Sequence, residues 1–248
     1  MVTLPGRRRR MIRAIEAWTR QTHSDRELIV VIDQGAQADR DAAAAAVAQF
    51  GGQDIKVVLP PRALTLGALR NLAVAQASGA GVCVWDDDDL HHPLRVARQL
   101  AAMVQADAKA TVLQDVMLFR EAAGILHWTN WAATPAGGLP GTLLCRTAEM
   151  PAYAEDGPQA HRGEDLDLLL RLRADHDVLQ QAAEPHLYVY VTHGENSSSA
   201  DHHALLADRL AISKGLLKRR EETLRDGLRP FGLDGASVEG PNGCAFSL

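Results

Sequence analysis

At 248 residues, with 46% of them hydrophobic, the chain can bury a proper core and is long enough for one large α/β domain or two small ones. A net charge of −5 and a pI near 6.0 argue against a general nucleic-acid binder. Three scattered cysteines without a CxxC pair (Cys83, Cys145, Cys244) argue against a zinc site or a disulfide framework and point to a reducing, cytoplasmic setting. No apolar run approaches the roughly 20 residues of a membrane span, and no apolar segment follows the basic N-terminal run as a secretory signal requires.

In chain order, Met11, Ile12, Ile15 and Trp18 recur at helical spacing and predict a helix from Arg8 to about Gln21. Glu27 to Ile32 reads as a buried strand ending in the turn Asp33-Gln34-Gly35. Asp39 to about Phe50 is alanine-rich and helical, stopped by Gly51-Gly52. A strand over Ile55–Leu59 ends at Pro60-Pro61, a helix over Leu66–Ala77 follows, then a strand over Val82–Trp85 and a helix from Pro93 to about Ala106. This alternation predicts a mostly parallel sheet with helices on both faces. The second half is less regular. Thr111–Phe119 and Gly124–Trp128 suit an antiparallel strand pair, Gly141–Cys145 a further strand, Asp165–Arg173 a helix and Leu187–Val191 a strand. Ala204 to about Leu224 reads as one long helix, with a surface that can pair with a second copy. Residues 1–229 are predicted to form a single domain, with a poorly ordered Gly-, Pro- and Ser-rich tail over 230–248. The first strand has room only for a stub before the first helix, so it is expected to be truncated.

The most informative stretch is Trp85-Asp86-Asp87-Asp88-Asp89, where four carboxylates follow a short apolar strand. Ligands bind at the carboxyl ends of strands in open α/β sheets. Four adjacent like charges call for neutralisation, and a divalent cation with oxygen ligands is the simplest candidate. The alternative is a solvated turn with Asp89 capping the next helix.

Other residues also carry two readings. Adjacent Glu164 and Asp165 precede an apolar helix, where mutual repulsion would suit a general base and ordinary helix-start chemistry explains them equally. Arg70 can fork onto a phosphate or brace a carboxylate, or form a surface ion pair. His193 follows a strand and is a competent metal ligand or a structural histidine. His91 and His92 either reach phosphate or are merely exposed before Pro93. Arg7–Arg10 oppose the helix dipole and form either an anion site, for phosphates or an acidic membrane surface, or a solvated basic face. Trp128 and Trp131 offer stacking faces to an acceptor sugar, or core packing. Gly137-Gly138-Leu139-Pro140-Gly141 reads as a mobile acceptor-side loop.

Taken in order, Gln21-Thr22 with Glu27–Val31, Asp33 and Gly35, Leu66–Asn71, the acidic run, Arg162-Gly163-Glu164-Asp165 and Tyr188–Asn196 resemble the family 2 glycosyltransferases of the GT-A fold. The resemblance spans about Thr3 to Asn196, and no single motif in it is strong alone. It implies inverting transfer of a sugar from a nucleotide-diphosphate donor (UDP or GDP type) to a hydroxyl of a carbohydrate or lipid-linked acceptor. It implies Mn²⁺ or Mg²⁺ at an Asp-x-Asp motif, with Asp86 toward the ribose or sugar and Asp88 on the metal. Four consecutive aspartates leave that register open to Asp87 and Asp89. Asp165 becomes the base beside Glu164, and His193 a third metal or diphosphate contact. Thr3, Arg7, Asp33, Gly67, Arg70, Asn71 and Asp87 become donor-side residues. Gln34 stands where many relatives carry a second acid. Cell-surface polysaccharide or lipopolysaccharide synthesis, peripheral on the inner membrane face, is the setting implied. The competing expectations are a non-catalytic nucleotide-sugar-binding relic and a sugar-1-phosphate nucleotidyltransferase, whose glycine-rich loop with lysine is not found here.

Overall fold

The computed structural model describes residues 1–51, 54–194, 196 and 200–248; Gly52 of the expected helix stop and Glu195 of the late motif lie outside the described residues. Strands β1 (Val2–Thr3), β2 (Leu28–Ile32) and β3 (Ile55–Val58) form a parallel sheet in the order β1-β2-β3. Helices α1 (Arg8–Thr19) and α2 (Gln37–Ala48) connect its strands, and α3 (Leu66–Gln76) leads out of it. All five β2 side chains are buried because both faces are covered. Leu28, Val30 and Ile32 pack with Met11, Ile15 and Trp18 of α1 and with Ala43 and Val47 of α2. Ile29 and Val31 pack with Leu69 of α3 on the other face. The predicted stub is β1, which pairs Val2 with Val31 and Thr3 with Ile32.

The acidic run lies between β4 (Gly81–Cys83) and β5 (Leu90–His91), and α4 (Arg95–Gln105) follows. The next elements are β6 (Ala110–Leu113), β7 (Asp115–Arg120), β8 (Ile125–Asn130), β9 (Leu144–Arg146), α5 (Glu164–Asp175), β10 (Val178–Gln181) and β11 (Tyr188–Thr192). Helices α6 (Ala200–Leu210), α7 (Lys214–Arg219) and α8 (Glu221–Leu228) precede a hairpin of β12 (Ser237–Gly240) and β13 (Gly243–Ser247). One mixed sheet runs β10-β6-β9-β4 and another β13-β12-β8-β7-β11-β5. In the second, β7 and β8 form the expected antiparallel pair, while β11 runs parallel to β7 and antiparallel to β5. The acidic turn therefore enters from the end of one sheet and leaves as the edge strand of another.

Two expectations are corrected. The long helix over Ala204–Leu224 is three helices. Its chain turns aside at Ala211, which bridges to Thr129, and the Ile212 N–H donates to the Trp128 carbonyl at 2.9 Å. Ser213 then caps α7. Leu217, Leu224 and Leu228 are buried in the same cluster as Val238 and Phe246. Residues 230–248 are not a loose tail either. β12 joins β8 in parallel, and Val238, Ala245 and Phe246 are buried. The turn between β12 and β13, Pro241-Asn242-Gly243, places Gly243 at φ 84°, where glycine is favoured.

Candidate active site

Val84 and Trp85 carry the chain from β4 into the acidic turn, anchored by the Trp85 indole N–H, which donates to the Ala14 carbonyl at 3.1 Å. Along the turn the carboxylates alternate. Asp87 and Asp89 are each 3% exposed, whereas the side chains of Asp86 and Asp88 remain 26% and 17% exposed. Asp87 accepts hydrogen bonds from the Thr3 hydroxyl (2.5 Å) and Arg7 (3.2 Å). Asp89 accepts from the Tyr188 hydroxyl and from the Val191 N–H at 2.7 Å. Thr3, at the end of β1, thus braces the turn from below.

Asp88 faces Arg7 at 3.3 Å and His193 Nε2 at 3.1 Å, and its main-chain carbonyl accepts from Arg13 at 2.8 Å. His193 is held at the end of β11 by Asn196, whose Oδ1 accepts from the His193 N–H and whose amide donates to the Val191 carbonyl. Asp86 pairs with Arg70 at 3.3 Å, and the same guanidinium reaches Glu164 through Nε at 3.0 Å. Arg70 thereby joins two motifs far apart in sequence. Asp165, next to Glu164 at the first turn of α5, stays partly exposed, and its Oδ1 accepts the Leu166 N–H at 2.8 Å.

The turn is rich in charge, and burial acts on its carboxyl groups despite their partners. Burial raises the pKa of Asp86, with Arg70 pulling it back. Burial, with the neighbouring Asp88 charge, pushes Asp87 up to about 6. Burial and the charges of Asp88 and Asp86 hold Asp89 well above the ordinary carboxylate range, and burial also raises Glu164. For Asp87 the folded state holds its proton more tightly than the unfolded chain does, so its contribution favours folding at low pH and fades as pH rises from about 4 through about 6. Thermal melts of the metal-free protein are expected to show this contribution, about 3 kcal/mol, and Asp87→Asn is expected to flatten it. An unchanged slope in the variant would show that Asp87 is not the group responsible.

Several expected site residues have other tasks. Gly67 lets α3 approach the 153–155 segment, because a Cβ there would lie 1.9 Å from the Ala154 carbonyl oxygen. Asn71 clamps the same segment: its amide donates to the Tyr153 carbonyl (3.0 Å) and Glu155 (2.7 Å), and its oxygen accepts the Tyr153 N–H (2.8 Å). The amide groups of Asn71 are thus taken up by that segment. Asn71→Ala is expected to cost about 2 kcal/mol through the unpaired Tyr153 N–H and carbonyl, with nucleotide affinity within about threefold of wild type, as chemical denaturation and calorimetry would measure. Loss of nucleotide binding without loss of stability would return Asn71 to the donor side. Trp128 and Trp131 are core residues rather than acceptor platforms. Both are buried, with indole N–H groups donating to Asp115 (2.9 Å) and Thr129 (3.0 Å). The 137–141 loop is buried and tightly fitted, not mobile: a Cβ on Gly138 would meet Val112 at 2.6 Å and one on Gly141 would meet Asp86 at 2.9 Å. Asp33 lies at the end of β2, partly exposed, with Oδ1 accepting the Gln34 N–H at 2.6 Å, while Gln34 donates to the Pro60 carbonyl at 2.7 Å. Arg13, Arg95, Tyr153 and Gly141 also shape the site. Only Gly141, in its glycine-rich loop, carried a sequence signal.

The glycosyl transferase family 2 model matches residues 6–129, half of the chain. The chain belongs to glycosyl transferase family 2. No curated protein matches it closely enough to count. The solved structures similar to this family 2 glycosyltransferase include S. aureus TarS 1-349, at 15% identity over 91% of this chain and 71% of that one, with a TM-score of 0.57. The same TarS fragment in complex with UDP-GlcNAc gives 14% identity over 93% and 73%, with a TM-score of 0.59. Likeness at that identity shows the fold, and it is that of GT-A glycosyltransferases, mixed α/β with a parallel sheet and flanking helices.

Proposed function

We propose that this family 2 glycosyltransferase moves a sugar from a nucleoside-diphosphate donor, of the UDP type, onto an acceptor hydroxyl with inversion of the anomeric carbon. The observation that carries the reading is the alternation along the acidic turn. Asp87 and Asp89 are buried on protein donors, whereas Asp86 and Asp88, paired with Arg70 and with Arg7 and His193, stay partly exposed toward the open side, and Arg70 ties Asp86 to Glu164 beside Asp165. UDP in a TarS complex supports the choice of nucleotide by analogy of fold.

Asp88 and His193, with Asp86 beside them, would hold Mn²⁺ or Mg²⁺. Among the described residues no three His, Cys, Asp or Glu side chains form a ready cage. A sparse oxygen and nitrogen set on a turn of four adjacent carboxylates nonetheless fits a cation that fills its remaining positions with phosphate and water. When bound, such an ion neutralises charge on the departing nucleoside diphosphate. Arg7, beside Asp88, adds a second positive group for the diphosphate, and Asp33 at the end of β2 would read the ribose or base. Asp165 takes the acceptor's proton. Glu164, buried on Arg70, braces the guanidinium and leaves that task to its neighbour. Work on cell-surface polysaccharide from the inner membrane face is the setting we favour; among the described residues no helix is long and apolar enough to cross a membrane.

Calorimetric titration of UDP and GDP with Mn²⁺, and again with EDTA, tests this on the wild type and Asp88→Ala. UDP is expected to bind only with metal, and the variant to lose about 100-fold in affinity. Equal binding in EDTA would remove the metal from the reading, and no binding of either nucleotide would overturn the donor site. The anomeric form of the product, followed by NMR, tests inversion.

A further inference from the structure

Behind the acidic turn lies Arg95, fully buried and among the largest such side chains in the protein. Among the described residues it forms no ion pair with a carboxylate, and its hydrogen-bond partners are neutral. Its Nε donates to Gln99 at 3.1 Å, one terminal nitrogen meets His91 Nδ1 at 2.6 Å, and the other donates to the carbonyls of Val84 (3.0 Å) and Gly141 (3.5 Å). Its guanidinium lies over the Tyr188 and Trp85 rings at 4.7 and 5.4 Å. A buried cation with no carboxylate in direct contact is costly to keep for packing alone.

Its contacts have a direction. A guanidinium has no lone pair, so His91 Nδ1 must accept, and the ring proton must sit on Nε2. That Nε2 lies 3.0 Å from the Asp86 main-chain carbonyl, to which it donates. The His91 ring is stacked on Trp85 with centroids 3.8 Å apart. On the other side, Gln99 donates to the Thr142 carbonyl at 2.8 Å, so the same guanidinium also ties down the wall that carries Gly141.

We propose that Arg95 is a positioning residue for donor binding: from behind the site it fixes the His91 tautomer, and through it the main chain of Asp86, and locks the turn to residues 141–142. The proposal rests on the reading of Asp86 and Asp88 as donor-facing groups. The arrangement needs a permanent donor with several fixed directions, which arginine offers and lysine does not.

The experiment uses the full chain labelled with ¹⁵N-histidine, His91 being assigned by its loss in His91→Gln. Wild type is expected to show His91 with bare Nδ1 and protonated Nε2, and Arg95→Met to lose that fixed tautomer. With Mn²⁺, UDP affinity is expected to fall about 10- to 100-fold in Arg95→Met and in His91→Phe, which keeps a ring on Trp85 but makes neither hydrogen bond. His91→Gln, whose amide both donates and accepts, is expected to recover most of the loss seen in His91→Phe. Should Arg95→Met fail to fold, the two His91 variants carry the test. A wild-type ring protonated on Nδ1, or His91→Phe binding UDP as wild type does, would overturn the proposal. Should wild type bind no nucleotide, the donor-site reading falls, while the tautomer in wild type and Arg95→Met still decides whether Arg95 directs His91.

Discussion

Asp165→Asn is expected to lower kcat about a thousandfold while leaving UDP affinity within about threefold of wild type. The amide keeps the shape of the carboxylate and can still accept the Leu166 N–H, so the first turn of α5 should survive. What it loses is the capacity to take a proton from an acceptor hydroxyl. Binding of the donor is assigned to other groups, so the defect should appear in kcat and spare the nucleotide titration. Glu164→Gln is the control. Its partner is the guanidinium of Arg70, not open space, so its loss should show first in stability. A kcat within tenfold of wild type for Asp165→Asn would move the base elsewhere.

Arg70→Met carries the largest expected cost in stability. The guanidinium sits between Asp86 and Glu164 and over the Tyr153 ring, and Glu164 is nearly inaccessible. Methionine fills much of the volume but leaves two carboxylates facing each other in a partly desolvated cleft. Removing one partner of a buried ion pair costs about 3 kcal/mol, which for a chain of this length lowers Tm by roughly 6–12 °C. The loss should shrink at low pH, because both carboxyl groups have raised pKa values and take up protons there. Arg70→Lys keeps the charge but cannot fork, so it should recover part of the stability. An Arg70→Met protein as stable as wild type at pH 7.5 would show that the pair is not coupled through Arg70.

The half of the chain built from alternating strands and helices was legible because its signals are local. β2 is a continuous apolar run closed by the Asp33-Gln34-Gly35 turn, and α1 has a helical stripe. The acidic run was legible as a candidate site but not in its register, since four identical residues offer no contrast. The contrast comes from Thr3, Arg7, Tyr188 and Val191, which reach the turn only after folding. Trp128 and Trp131 were left between an acceptor face and the core for a similar reason. Asp115 becomes the partner of Trp128 only when β7 and β8 align, and composition cannot tell a buried indole from a sugar platform. The C-terminal residues looked loose by composition, although Pro241-Asn242-Gly243 between short apolar stretches was a hairpin signal in plain view.

The bonds from Asp89 to Tyr188 and Val191 also bear on the order in which the molecule assembles. The β1-β2-β3 layer joins neighbouring segments and can close early. The sheet that receives the acidic turn joins Leu90–His91 to Tyr188–Thr192 and extends to Ser237–Ser247, so its contacts close long loops. A nascent chain would therefore hold a formed nucleotide-side layer while the acidic turn still lacked the strand that orients it. For the same reason, a fragment cut to the segment matched by the family model, 6–129, would contain all four aspartates and no working site.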